Sequence, residues 1–172
     1  MTDLPSTTVG ANATAVVVGA DEQFDVVVDV DRWCRLATAT LTTEGASGEL
    51  TLTFVDRDEI AALNVEHLGH EGATDVLSFP LDDDDPGAVV PLLLGDVVVC
   101  PAVAVEQAST HAGTLDDELA LLVIHGVLHV LGHDHAEAAD GARMRARELA
   151  LLEAHHWDGP APAGFRQEHL AP

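Results

Sequence analysis

The sequence predicts an α/β (α+β) domain with a small sheet of about four strands and about five helices. Short runs of strand-favouring residues alternate along the chain with stretches of helical periodicity. The 172 residues, 47% of them apolar, suffice for one compact core but not for two ordinary domains. We therefore expect a single domain over residues 14–158, between disordered tails at residues 1–13 and at the Pro- and Ala-rich residues 159–172.

The first part of the chain predicts two strands and one clear helix. Residues 15–18 are a short apolar run, and residues 48–55 alternate apolar and polar side chains, which is typical of a half-buried strand. Asp56 is placed to cap a helix over residues 57–67. Residues 23–41 are ambiguous, because their valines favour a strand while the recurrence of their apolar side chains also fits a helix.

The middle of the chain predicts two more strands and a helix. Residues 74–79 and 92–100 are apolar runs bounded by Gly or Pro, as buried strands are. Pro101 suits the first turn of a helix that runs to about residue 111, since its missing N–H and fixed backbone angle cost nothing there.

Two helices complete the predicted order. Thr114 and Asp117 have the spacing of a helix start, and a long apolar helix over about residues 115–131 follows them. Gly132 is expected to end this helix. Residues 138–156 contain good helix formers and a stripe of leucines, which predicts a final amphipathic helix.

The charge of the chain is strongly negative. Thirty acidic residues stand against seven basic ones, all of them arginine, for a formal net charge of −23. Such a chain repels phosphate backbones at long range, which argues against unaided, electrostatically steered nucleic-acid binding. Screening over about 8 Å at physiological salt still permits a local basic or metal site.

Several sequence features bear on location. No apolar stretch reaches the roughly 18 to 20 residues of a membrane-spanning helix, and no basic region precedes the short apolar run at residues 15–18. Cys34 and Cys100 are isolated from each other and predict small buried side chains in a reducing compartment. We therefore expect a cytoplasmic protein with no membrane partner.

The segment with the most chemical information has the spacing HxxxHxxGxxH. His125 and His129 lie four residues apart, so they share one helix face and can point at one metal ion. Gly132 lets the chain turn back and bring His135 round as a third ligand. Three neutral imidazoles with one open position are the arrangement of a catalytic zinc site, and the spacing is that of the metzincin motif. A histidine pair alone would more often indicate packing or a surface.

The residue after the first histidine limits the class of reaction that a bound metal could catalyse. Zinc peptidases of this pattern have a glutamate there as general base, whereas this chain has Gly126. A bound metal can still lower the pKa of water or bind a phosphoryl oxygen. We therefore expect phosphodiester cleavage rather than peptide hydrolysis.

Two acidic residues could assist such a metal. Glu118 lies two helical turns before His125, where it could orient that imidazole or simply be an exposed acid at a helix start. Asp134 could bond to a ligand or accept a proton, and it could equally stabilise the turn after Gly132.

Four blocks of sequence together resemble one known family. In chain order they are Leu63-Asn64, TDVLSFP at residues 74–80, Leu94-Gly95-Asp96 and ELALLVIHGVLHVLGHDH at residues 118–135. Through them the chain resembles, over roughly residues 45–156, the YbeY family of bacterial metal-dependent endoribonucleases.

The resemblance implies a mixed four-stranded sheet, a metal helix beside a cleft, and a helix for residues 23–41. It also implies one Zn²⁺ per chain, held by His125, His129 and His135, and action on single-stranded RNA. The implied role is maturation of the 3′ end of 16S ribosomal RNA and late ribosome quality control. Small-subunit ribosomal proteins are then expected partners, and DNA is not.

The chain departs from the family pattern at two positions. Leu68 stands where many members have an arginine that is thought to assist RNA cleavage, so His67, His70 or an arginine elsewhere must supply the basic group. His133 replaces the usual tyrosine and places a fourth imidazole near the metal. With Asp134, it is our predicted catalytic residue.

Three of the seven arginines cluster after the metal motif, at Arg143, Arg145 and Arg147. Arg143 and Arg147 share a helix face and could meet RNA phosphates or form a solvated surface. Six aromatic residues are too few for a broad base-stacking platform, so we expect RNA binding to need a partner surface.

Two other functions would also explain the HxxxHxxGxxH motif. They are a zinc hydrolase of another class and an assembly factor with structural zinc.

Overall fold

The computed structural model describes residues 14–81 and 92–167. Over these residues the strands and helices follow one another in the predicted order, which confirms the α/β class. They are β1 (Ala15–Asp21), α1 (Val30–Thr43), β2 (Gly48–Phe54), α2 (Arg57–Leu68), β3 (Val76–Pro80), β4 (Leu93–Val99), α3 (Pro101–Ala108), α4 (Leu115–Val130) and α5 (Ala138–His155).

The sheet is mixed and has the strand order β1-β2-β4-β3. β1, β2 and β4 are parallel, and β3 runs antiparallel to β4 at one edge. β4 therefore has a hydrogen-bonded strand on each side. Successive side chains of a strand point to opposite faces, and β4 buries Val97, Val98 and Val99 in turn. This explains why the second half of β4 is a continuous apolar run, whereas β2 alternates.

Helices cover both faces of the sheet. The larger apolar cluster joins one face to α1, α4 and α5, with Trp33, Phe54 and Leu128 among its buried side chains. The smaller cluster lies on the other face, where Ile60 of α2 packs with Leu77 and other apolar side chains. Within the described residues, no helix is long and apolar enough to cross a membrane.

The expected helix over residues 23–41 is wrong at its start, because α1 begins at Val30. The Gln23 side chain donates to the Val26 carbonyl at 2.7 Å and accepts from the Val26 N–H at 2.9 Å. These side-chain bonds close a turn and occupy the Val26 backbone groups, which in a helix would bond to other backbone groups. Asp29 then caps α1 by accepting from the Arg32 N–H. Of the valines that made this segment ambiguous, Val26, Val27 and Val28 precede α1, and Val30 is its first residue.

Part of the predicted C-terminal tail contacts the domain. The Phe165 ring lies 4.7 Å from the Trp157 ring, and the Arg166 N–H donates to the His111 carbonyl at 3.2 Å. Residues 1–13 and 168–172 lie outside the described residues. The boundary at residue 158 and the disorder of both tails stay predictions. Cys100 is buried as expected, Cys34 is only half-buried, and both thiols are free.

Helix α4 packs closely against the sheet at Gly126. A β-carbon at this position would stand 2.5 Å from Cγ1 of Val97 and 3.3 Å from both Ser78 Oγ and Val76 Cγ2. The Ser78 hydroxyl also donates to the Gly126 carbonyl at 3.0 Å. Close packing therefore explains why a glycine occupies position 126, which the spacing of the histidine motif does not predict.

We predict that Gly126→Ala lowers the free energy of unfolding by about 1–2 kcal/mol, because overpacking against buried Val97 outweighs the better helix propensity of alanine. Urea unfolding measures the change. Gly159→Ala is the control, since a β-carbon there meets open space. Equal stability of the two variants would contradict the packing role of Gly126.

Candidate metal centre

Helix α4 carries two of the three predicted ligands and is otherwise mostly buried. Its N-terminus is capped as expected, since the Thr114 hydroxyl oxygen accepts from the Asp117 N–H at 3.1 Å. Most of its side chains are buried, while His125 and His129 are half-buried. Helical spacing places these two imidazoles on the side of α4 that borders a cleft.

The third ligand arrives through the turn that follows α4. Gly132 adopts a φ of 97°, in the region that favours glycine, and so ends the helix as predicted. Oδ1 of Asp134 accepts from the N–H groups of His135 and Ala136, at 2.7 and 3.2 Å. Asp134 therefore stabilises the turn that aims His135 back at the helix.

The structure brings His125, His129 and His135 together. One ring nitrogen from each lies within 4.8 Å of the others, which is a geometry that can hold a single metal ion. Ring centroids are 4.5 Å apart for His125 and His129, 5.0 Å for His129 and His135, and 5.7 Å for His125 and His135. The donor set, three nitrogens with no thiolate or carboxylate, is one that Zn²⁺ and other late transition metals accept.

The electrostatics of the cluster favour neutral imidazoles. Burial, followed by the charges of His125 and His135, lowers the pKa of His129 to about 4. Only the neutral form of imidazole binds a metal. At neutral pH His129 can thus accept a metal ion without first releasing a proton.

Glu148 of α5 orients the first ligand, and sequence reasoning missed it. Its Oε1 lies 2.6 Å from Nδ1 of His125, and the carboxylate is buried. Because a carboxylate only accepts, Nδ1 carries the hydrogen and Nε2 is free to bind a metal. The amide of Gln167 donates to the other oxygen of Glu148 at 3.2 Å and to the Arg145 carbonyl at 2.7 Å.

Glu118 has neither of the roles considered for it. Its carboxylate is fully buried and lies 2.8 and 2.9 Å from Nδ1 of His111, and it also accepts from the Ala112 N–H. Burial alone would lower the pKa of His111, but the hydrogen bond with Glu118, together with a bond to the Gln167 backbone and the charges of Glu118 and Asp75, outweighs it and raises that pKa. Glu118 therefore anchors the loop before α4 rather than a metal ligand.

The two predicted catalytic residues lie in the turn. Nε2 of His133 is 3.7 Å from a carboxylate oxygen of Glu44, the residue after α1. Asp134 bonds to the turn backbone, as described above. The cluster of possible metal ligands contains neither side chain, and the catalytic role of both stays a prediction.

A cleft of about 840 Å³ opens beside the three histidines. Side chains of β3, α4 and α5 line it, together with Leu68 at the end of α2. It is large enough for several atoms of a substrate beside a bound metal. The arrangement can therefore bring a ligand to an ion that keeps an open coordination position.

Comparisons with known proteins agree on one family. Residues 20–156 match the family model described as Endoribonuclease YbeY. A curated protein of that name from Salinispora tropica is 43% identical over 136 residues, which are 73% of this chain and 87% of the relative. One from Corynebacterium aurimucosum is 41% identical over 137 residues, or 74% of this chain and 70% of the relative. A match from Nocardia farcinica covers 61% of that relative.

One solved structure is also similar. It is the solution structure of TM1509 from Thermotoga maritima, with 26% sequence identity and a TM-score of 0.58. The match covers 83% of this chain and 91% of that chain.

We predict that Glu148→Ala weakens metal binding about ten- to a hundredfold, because His125 loses the acceptor that fixes its ring. Isothermal titration of the metal-free protein with Zn²⁺ measures the affinity. Glu153→Ala, on the same helix, is the control and should leave it unchanged. Loss of affinity in both variants would instead indicate a general effect of charge or of α5.

The lowered pKa of His129 predicts a pH dependence in the metal-free protein. The unfolded chain takes up this proton near pH 6.5 and the folded chain only near pH 4, so stability is present above pH 6.5 and is lost as the pH falls towards 4. The loss should be less than about 3 kcal/mol, because solvent screens part of the effect at a half-buried ring. Denaturant unfolding with a chelator present measures it. The variant His129→Gln should lack this part of the slope, and an identical slope would refute the assignment.

Proposed function

This chain belongs to the YbeY family of endoribonucleases, and we propose on that basis that it is a zinc-dependent endoribonuclease acting on single-stranded RNA. The three-histidine cluster beside an open cleft supports the proposal most directly. The curated relatives carry the name Endoribonuclease YbeY, and this chain has the ligand set that a metal-dependent member needs.

His125, His129 and His135 would hold the ion. When bound, Zn²⁺ supplies a Lewis acid that lowers the pKa of water and neutralises charge on a phosphoryl oxygen. Glu148 keeps His125 in the tautomer and orientation that binding requires. A glutamate at position 126 would collide with Val97, so the helix cannot supply the general base that a zinc peptidase uses.

We assign proton transfer to the two turn residues that precede the third ligand. Asp134 is exposed, and within the described residues its hydrogen bonds all use Oδ1, which leaves Oδ2 for a substrate or water. His133 is partly exposed and has Glu44 beside it to stabilise a positive charge. Both groups are close in sequence to the metal ligand that they would assist.

The natural substrate we propose is the 3′ region of 16S ribosomal RNA, cleaved during late maturation and quality control of the small subunit in the cytoplasm. The net charge of −23 supports action on the ribosome, because an isolated chain would repel RNA at long range. Small-subunit ribosomal proteins would hold the enzyme near its substrate. DNA and membranes have no part in this proposal.

Cleavage of an unstructured RNA, measured together with elemental analysis, tests the function. The wild-type protein should contain about one zinc ion per chain and cleave the RNA. His129→Ala should lose the metal, and its rate of RNA cleavage should fall at least about a thousandfold. The reason is that the metal supplies several kcal/mol of transition-state stabilisation. His155→Ala is the control, because its exposed ring contacts Thr43 away from the cleft.

Three outcomes would count against the proposal. Equal cleavage by His129→Ala, in protein freed of contaminating nucleases, would remove the metal from the mechanism. Another metal in the freshly purified protein would overturn only the assignment of zinc and would leave the nuclease proposal standing. Ribosome association without any RNA product would favour an assembly factor with structural zinc.

A further inference from the structure

The cleft beside the metal cluster contains one side chain with a permanent positive charge. Among the described residues that line it, Arg145 is that cation, and Asp75 and Glu148 are acidic. The chain has only seven basic residues against thirty acidic ones, so its composition alone would not lead us to expect a cation in this cleft. Leu68 lines the same cleft and cannot bind an anion.

The neighbouring arginines are occupied by acidic partners. Arg143 forms an ion pair with Asp140, one helical turn before it, and Arg147 forms one with Glu44. Within the described part of the chain, Arg145 forms no ion pair. The pair that shares a helix face is thus neutralised, and the arginine between them keeps its charge for a ligand.

The guanidinium of Arg145 lies close to the third metal ligand. A β-carbon on Gly141 would stand 3.3 Å from Nη1 of Arg145 and 3.7 Å from Cβ of His135. The missing side chain of Gly141 therefore leaves room between the two groups. The backbone of Arg145 is fixed as well, because its carbonyl accepts from the same Gln167 amide that reaches Glu148.

We propose that Arg145 binds a phosphate of the RNA at the metal centre. The inference rests on the proposed function. A guanidinium offers two parallel N–H groups that match two phosphate oxygens, and this pairing is stronger than a neutral hydrogen bond. Arg145 would hold the phosphate beside the ion and offset part of the repulsion from the acidic chain.

Kinetics and RNA binding of Arg145→Ala test this role. The matched control is Arg35→Ala, which removes an exposed arginine of α1 away from the cleft. On a short unstructured RNA, Arg145→Ala should lower kcat/KM about ten- to a hundredfold, and Arg35→Ala should stay within about twofold. Arg145→Lys should recover part of the loss, because it restores the charge without the paired N–H groups.

A second measurement separates phosphate binding from catalysis. Fluorescence anisotropy of a labelled single-stranded RNA, at low salt with a chelator, reports binding without cleavage. Arg145→Ala should weaken binding about tenfold relative to Arg35→Ala and reduce the salt dependence by about one phosphate contact. Zinc content and thermal stability should equal those of the wild type, which excludes a structural role.

The outcomes distinguish this inference from the nuclease proposal. Weaker RNA binding by Arg145→Ala, with no cleavage by the wild type, would support the phosphate contact and refute the nuclease. Cleavage and binding equal to those of Arg35→Ala would overturn the role of Arg145 while the nuclease stands. A wild-type protein that neither binds nor cleaves RNA would overturn both.

Discussion

The close packing of α4 against the sheet at Gly126 determines where the chemistry of this protein can occur. The helix is buried along most of its length, and the Ser78 hydroxyl and the side chain of Val97 fix its position against β3 and β4. His125 and His129 are then held at the border between the core and the cleft. Gly126, the residue after the first ligand, has no room for a side chain. The packing of the helix therefore also excludes the glutamate that a zinc peptidase has at this position.

Three buried carboxylates of this acidic chain have histidines or an indole as partners. Glu118 pairs with His111, Glu148 with His125, and Asp117 accepts from Trp157 at 2.8 Å and lies 2.7 Å from a ring nitrogen of His156. The bonds of Asp117 join the start of α4 to the end of α5, and that of Glu148 joins the metal ligand to the middle of α5. Each bond satisfies a buried acid without a lysine or arginine. The polar interior thus fixes the relative placement of the helices that form the site.

Features set by local spacing could be predicted from the sequence, whereas pairings between distant elements could not. The cap at Thr114, the end at Gly132 and the shared face of His125 and His129 follow from helix geometry alone. Glu148 lies 23 residues from His125, and its role depends on how α5 packs on α4. Spacing pointed to Glu118 instead, because periodicity places a residue on a helix face but does not say what that face meets. The turn closed by Gln23 was missed since a side-chain amide there replaces backbone partners.

An acidic protein can act on a polyanion when its long-range and local fields differ in sign. The charge of −23 is a net charge of the whole chain, and salt screens exposed charges beyond about 8 Å, so it would act mainly on the rate of encounter with RNA. Arg145 lies in the cleft with the carboxylates of Asp75 and Glu148, and Glu148 is hydrogen-bonded to His125 and Gln167. Under the proposed function, Arg145 and a bound metal ion would attract a phosphate against these two carboxylates. Long-range repulsion would then disfavour free RNA, whereas a substrate held in place by other contacts would escape this penalty. Under the proposed function, the charge that hinders unaided binding would therefore favour action on RNA that an assembly holds in place.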